Sequence, residues 1–376
     1  MTNLTQKSSK QFFGAAMRVV TLALFLVVFG ASAALAQTRA YVTNSGSDNV
    51  SVIDPATNTV VATIPVGDVP SGVAVTPNGA FAYVANSLSN TVSVISTATN
   101  TVVATVPVGL FPQGIAITPN GAFAYVTNRF DNTVSVINTA TDTVAATIPG
   151  IGNEPVAVAI TPSGDFAYVS CLFGGVVTVI NTGNNTVFAT VPVGGRPAGL
   201  AITPNGAFAY VTRRILNDVV VISTATNMVV TSITVPGDPD AVAITPNGAF
   251  AYVSNSEIQG IIGKITVIAT ANNTVVTTLQ IGQLPLFLAI DPTGAFAYVP
   301  MAPNNNVSVI ETSTNSLLTT VGVGSAPFAV AFAVRTQGPT NKDQCKNDGW
   351  QTFTNPSFKN QGQCIKFVNH MDEGNN

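Results

Sequence analysis

Gly72-Val73-Ala74-Val75-Thr76-Pro77-Asn78-Gly79, Ala80 to Asn86, Thr91-Val92-Ser93-Val94-Ile95 and Thr101 to Gly109 make up one 38-residue stretch, 72–109, that decides the fold. Val73 to Thr76 reads as a strand, ended by Pro77-Asn78-Gly79, where Asn-Gly supplies the positive-φ positions of a tight hairpin. Phe81 to Ala85 is rich in aromatic and β-branched residues. Thr91 to Ile95 alternates polar and apolar side chains, the period of a half-buried strand. Val102 to Val106 follows the turn Ser96 to Asn100, and Pro107 suits an outer edge where no ladder N–H is needed. These are four antiparallel strands in sequence, with no helix signal between them.

The unit repeats. Its Tyr-Val pair recurs at Tyr41, Tyr83, Tyr125, Tyr168, Tyr210, Tyr252 and Tyr298, and these are all 7 tyrosines of the chain. The spacings are 42, 42, 43, 42, 42 and 46 residues. Four strands in 40–45 residues is the arithmetic of a β-propeller blade. The chain ends predict how the ring closes. Residue 37 leads straight into a second-type strand, Arg39 to Thr43, while Phe328 to Val334 is a surplus inner strand after Pro327. Joined, they complete one blade from both termini and give seven. The fold class expected is all-β, a seven-bladed propeller spanning 37–334. Small residues follow the Pro before each inner strand (Gly72, Gly114, Ala157, Gly199, Ala241, Ala329), where strands crowd the central channel. Phe287 breaks that series, which predicts a plugged channel mouth or an outwardly displaced blade.

Ala-Tyr-Val-Thr-Asn at 40–44 and 124–128, with Asn-Thr-Val-Ser-Val-Ile at 90–95 and 132–137, resembles the YVTN family of propeller repeats over residues 39–334. The resemblance implies a seven-bladed propeller and an extracytoplasmic location, since that family occurs in surface-layer and secreted proteins. It implies little about chemistry, because propellers host lactonases, quinoprotein dehydrogenases, lectin-like binders and structural proteins alike.

Both ends of the chain point outside the cytoplasm. Lys7, Lys10 and Arg18 precede the apolar run Val19 to Phe29, and Ala34-Leu35-Ala36 is a small-residue cleavage site, so residues 1–36 read as a signal peptide. Residues 335–376 form a linker and a small Cys-containing segment. Cys345 and Cys364 of an exported chain are expected to form a disulfide. This segment resembles a short Cys-Lys-x-x-Gly-Trp element at the C-termini of secreted bacterial proteins.

Composition excludes several function classes. Only 8% of the 376 residues are charged, and the single His is His370 near the C-terminus. Multi-His metal centres and a Ser-His-Asp or Cys-His nucleophile system within the propeller are therefore excluded. Residues 37–334 carry a net charge near −7 with no basic stripe, which argues against nucleic acid. No apolar stretch after the signal segment is long enough to span a membrane as a helix.

The repeats also locate the candidate site. Loops on one side of the ring hardly vary, with Thr-Pro-Asn-Gly at 76–79, 118–121, 203–206 and 245–248. Loops on the other side differ in every blade and carry Phe111, Arg129, Phe130, Glu154, Arg196, Arg213, Arg214, Asp238 and Asp240. Divergence confined to one side points to a face that meets a ligand. The leading expectation is a secreted or surface-attached, non-enzymatic propeller that binds a protein or glycan there. The alternative is a lactonase-like or sugar-acid hydrolase using carboxylates and Arg at the channel mouth. A Ca²⁺ ion on Asp238, Asp240 and Glu154 belongs to that alternative; otherwise no metal or cofactor is expected. A quinone-dependent dehydrogenase is a third, weaker reading. A pocket with three or more converging polar groups would favour catalysis over adhesion.

Overall fold

The computed structural model describes residues 36–256, 262–336, 342–346 and 360–366. The signal segment, part of the Glu257 to Gly263 loop, Trp350 and His370 lie outside them. The described residues form seven four-stranded antiparallel sheets, each with its strands in consecutive order except one. Blade 2 is typical: Pro70–Val75 innermost, then Phe81–Asn86, Thr91–Ser96 and Thr101–Pro107 outermost. The exception is blade 1. Its innermost strand is Pro327–Thr336, paired antiparallel with Ala36–Asn44, so that Arg39 faces Ala333 and Tyr41 faces Ala331. The closure expected from the chain ends is the one observed.

Each blade presents one apolar face to its neighbour, and the core is accordingly divided into interfaces. Between blades 2 and 3, Tyr83, Val92, Val94 and Val106 pack on Ile115, Ala124, Val126 and Ile137. The same arrangement closes the ring, where Tyr298, Val307, Val309 and Val321 pack on Ala40, Val42, Ile53 and Val330. Outer strands are largely exposed, as in Thr101–Pro107, where Val106 alone is buried.

All seven tyrosines are buried, and each phenol donates to the outer turn of the next blade. Tyr41 reaches Asn100 Oδ1 at 2.8 Å, Tyr125 reaches Asn185 Oδ1 at 2.6 Å, and Tyr298 closes the circle on Asn58 Oδ1 at 3.0 Å. Tyr83 is the variant, donating to the Asp142 carboxylate at 2.6 Å. The accepting residues hold left-handed backbone, for example Asn100 at φ 53° and Asn185 at φ 56°. Asn and Asp tolerate that conformation and carry an acceptor, so one residue type serves both turn and latch. Burial raises the phenol pKa, in Tyr125 to about 12, which keeps the donor protonated.

The inner strands approach closely because their third residue is small. A Cβ on Gly114 would lie 2.5 Å from Val156 O, and one on Gly199 would lie 2.4 Å from Ala241 Cα. Blade 7 cannot follow this rule at Phe287. Its regular inner strand shrinks to Ala289–Ile290, and Phe287 N–H instead donates to Phe328 O at 3.1 Å. Of the two expectations for Phe287, the one that applies is occupancy of the channel: its ring stacks on Phe328 at 5.1 Å and both rings line the channel and its mouth. The C-terminal segment carries the Cys345–Cys364 disulfide, with a Cα–Cα separation of 5.6 Å.

Candidate active site at the channel mouth

The channel opens toward the variable loops. A cavity of about 210 Å³ there is lined by Gln113, Arg129, Leu172, Arg214, Asp240 and Phe287, among others. Two register positions supply most of this lining. One is the residue after the inter-blade Pro, giving Gln113, Val156, Ala198, Asp240, Leu286 and Phe328. The other is the residue after the second strand, giving Arg129, Leu172 and Arg214. Beneath lies an apolar channel of about 170 Å³ bounded by inner strands from every blade.

Each mouth arginine crosses to the next blade. Arg129, following Phe123–Asn128, pairs with Glu154 at 2.6 Å and lies over the rings of Phe111 and Phe130 at 5.8 and 5.6 Å. Arg214, following Phe208–Arg213, pairs with the Asp240 carboxylate and stands 3.7 Å from Asp238. Asp240 is almost fully buried and also accepts from Ser256 Oγ. Burial pushes the Asp240 carboxyl pKa up; the Arg214 charge and the Ser256 hydrogen bond oppose this without reversing it. Asp238 is raised for the same reason, against Arg214 and Arg196.

Three buried polar atoms at this mouth make no hydrogen bond: Gln113 Oε1, and Arg214 Nε and Asp238 Oδ1, which face each other as an ion pair at 3.7 Å. Buried polar groups are nearly always satisfied, and exceptions concentrate where a ligand or chemistry supplies the partner. The backbone adds a second sign. Among the described residues, Val69, Phe111, Glu154, Arg196, Leu284 and Ala326 all precede an inter-blade Pro and all hold positive φ, 47° to 54°. Pre-proline residues avoid that region, so the fold maintains strain around the mouth. An acceptor in the preceding blade secures it, such as Asn132 Oδ1 for Glu154 N–H at 2.8 Å.

The structure sorts the sequence candidates. Arg129, Glu154, Arg214, Asp238 and Asp240 come together at the mouth, with the rings of Phe111 and Phe130 in tilted contact at 4.7 Å beside them. Arg196 lies over the Phe173 ring at 4.8 Å. Arg213 does not join the patch: it turns along its own blade to Asp218 at 2.5 Å and Val193 O at 2.5 Å. The reason is local. Arg213 occupies the position where Asn86 bonds Thr91 at 3.1 Å, and an Arg–Asp pair replaces that bridge. The three carboxylates offered for calcium each face an arginine: Glu154 is held by Arg129, while Asp238 and Asp240 surround Arg214. Among the described residues no group of three or more His, Cys, Asp or Glu is placed to hold a metal. Cys171 is fully buried, its pKa raised to about 11 by burial, which makes it a packing residue. Gln113 and Ser256 were missed by composition alone; both share a register position with a charged mouth residue, and that was the available signal.

The family model described as "Lactonase, 7-bladed beta-propeller" matches residues 35–189. This match overturns the expectation of a non-enzymatic binding protein and favours the hydrolase alternative. Among curated proteins, the PE-PGRS family protein PE_PGRS18 of Mycobacterium tuberculosis (strain ATCC 25618 / H37Rv) is 68% identical over 37 residues, which are 10% of this chain and 8% of that protein. Solved structures share the fold. Kuenenia stuttgartiensis hydrazine synthase superposes with a TM-score of 0.67 at 23% identity, covering 73% of this chain and 92% of its own. The structure titled "a putative 6-phosphogluconolactonase from Bacteroides uniformis ATCC 8492" gives 0.67 at 19% identity, covering 79% and 99%. A functionally unknown protein from Desulfotomaculum acetoxidans DSM 771 gives 0.70 at 18% identity, covering 79% and 99%.

Proposed function

We propose that this protein is a lactone hydrolase whose reaction takes place at the channel mouth, with Asp240 as general base and Arg214 as the stabiliser of developing negative charge. The observation that carries the reading is the buried Asp240–Arg214 pair facing a small cavity. The lactonase family match over residues 35–189 supports the same reaction class.

The chemistry needs a base, a polarising donor and a dry site. A carboxylate raised toward neutrality is a better base than an ordinary one at neutral pH. Both Asp240 oxygens accept a hydrogen bond and keep a second lone pair, so one can take the proton of a water. The resulting hydroxide adds to the lactone carbonyl carbon, and the carbonyl electron pair moves onto oxygen. The Arg214 guanidinium stabilises that oxyanion at the cavity wall. Collapse breaks the ring C–O bond, and the departing alkoxide recovers the proton from Asp240, leaving a hydroxy acid. Arg129 provides a second positive centre for the product carboxylate. The reading extends to an exported, YVTN-type protein, supported by the signal-peptide pattern and by a disulfide suited to oxidising compartments.

A pH-stat assay over a panel of γ- and δ-lactones, measured against spontaneous hydrolysis, tests this. Turnover above background that falls by about 10²–10⁴ in Asp240→Asn is the expected result. No enhancement on any lactone, or full activity in Asp240→Asn, would refute it.

A further inference from the structure

Three consecutive blades repeat one pattern at the rim. In each, a residue lining the mouth cavity is followed directly by an exposed apolar one: Arg129 by Phe130, Leu172 by Phe173, Arg214 by Ile215. Phe130, Phe173 and Ile215 are 56%, 50% and 62% exposed, large values for such side chains. In blades 1 and 7 the corresponding pairs are Ser45-Gly46 and Ala302-Pro303, and in blade 2 the exposed Leu88 follows Ser87, which does not line the cavity. The crescent of exposed apolar residues that continue directly from the cavity lining is therefore that of blades 3 to 5, beside both mouth arginines.

The crescent is held ready. Arg129 and Phe130 N–H donate to Phe111 O at 3.1 Å and Leu110 O at 3.3 Å, Leu172 N–H to Glu154 O at 2.9 Å, and Ile215 N–H to Gly195 O at 3.3 Å. Ordered loops lower the entropic cost of binding. The cavity itself, at about 210 Å³, is smaller than the roughly 300–1,000 Å³ of pockets that enclose a whole drug-sized molecule. A ring fits within it, and any long substituent must leave across the rim.

Resting on the lactonase reading, we infer that the substrate is a lactone bearing an apolar alkyl or acyl chain, with the ring in the cavity and the chain over Phe130, Phe173 and Ile215. Continuity of the crescent with the cavity, residue by residue, selects this occupant over a separate macromolecule.

The test uses the full chain and a series running from γ-butyrolactone through γ-octalactone to γ-dodecalactone. Catalytic efficiency should rise by about two- to threefold per methylene, a fraction of full methylene burial, before levelling off. In Phe130→Ser/Phe173→Ser/Ile215→Ser, the ratio of kcat/KM for γ-dodecalactone to that for γ-butyrolactone should fall at least about tenfold. These side chains are exposed, and an unchanged Tm confirms that the variant folds. Turnover independent of chain length overturns the inference and leaves the hydrolase reading standing. Calorimetric binding of γ-dodecalactone that the triple variant abolishes, without turnover, supports the crescent and refutes the hydrolase reading. Absence of both refutes both. Conversion of a dimer to a monomer by the triple variant, seen by light scattering, assigns the crescent to a second copy of the chain and overturns the inference.

Discussion

The two sides of this ring are built from the same repeat and have been put to different uses. On the invariant side, Asn185 and its equivalents each combine a left-handed turn with an acceptor for the tyrosine of the preceding blade. Every such turn serves the closure of the whole ring, so change there is limited to another left-handed residue with an acceptor, as Asp142 is for Tyr83. On the variable side, strained pre-proline residues such as Glu154 and Arg196 hold diverse side chains around the mouth. Their backbone is secured by main-chain and Asn contacts, as with Glu154 N–H on Asn132, which leaves the side chains open to substitution. Uniformity marks where the fold is fastened, and diversity marks where backbone fastening releases the side chain.

This contrast breaks first on activity. Asp240→Asn should lower turnover by about 10²–10⁴ and remove the acid limb of the pH–rate profile. In the unaltered protein that limb should lie above the ordinary carboxylate range, because burial raises the Asp240 carboxyl. A limb at the usual carboxylate value, measured by initial rates across pH, would place the base elsewhere.

Stability changes should be larger in the shared framework than at the mouth. Gly199→Ala forces a Cβ to within 2.4 Å of Ala241 Cα and should cost about 1–3 kcal/mol in denaturant unfolding. Tyr125→Phe removes a buried donor from Asn185 and should cost about 1 kcal/mol with catalysis unchanged. Loss of activity in that variant would mean that the two sides are coupled.

The smallest effect concerns Asp238. A carboxyl raised on folding binds its proton more tightly in the native state, so its contribution declines as pH climbs from the ordinary value through the raised one. Asp238→Asn escapes that decline. Its Tm relative to the unaltered protein should therefore improve between about pH 3 and about pH 7, by less than roughly 1 kcal/mol equivalent. A difference that shrinks with rising pH would show that the Arg214 and Arg196 charges outweigh burial.

Much of the fold was legible because a repeat exposes its own rules. The four strands per unit, the closure of Phe328–Val334 against Arg39–Thr43 and the crowding at Gly72, Gly114 and Gly199 all follow from period, turn chemistry and chain ends. Divergence among the repeats also assigned Arg129, Glu154, Arg214, Asp238 and Asp240 to one side, the side on which the structure pairs them. Arg213 was misplaced because neighbouring residues on a strand end point to opposite sides, and its partner Asp218 is visible only once strand register is known.

The amino-acid sequence by itself determined the ring, since strand period, turn residues and complementary termini act locally and repeat identically. Which charges meet was decided only in the tertiary structure. Arg214 finds Asp240, and Arg129 finds Glu154, across blade boundaries set by the packing of whole sheets. Burial at that junction, rather than any motif, raises the Asp240 carboxyl.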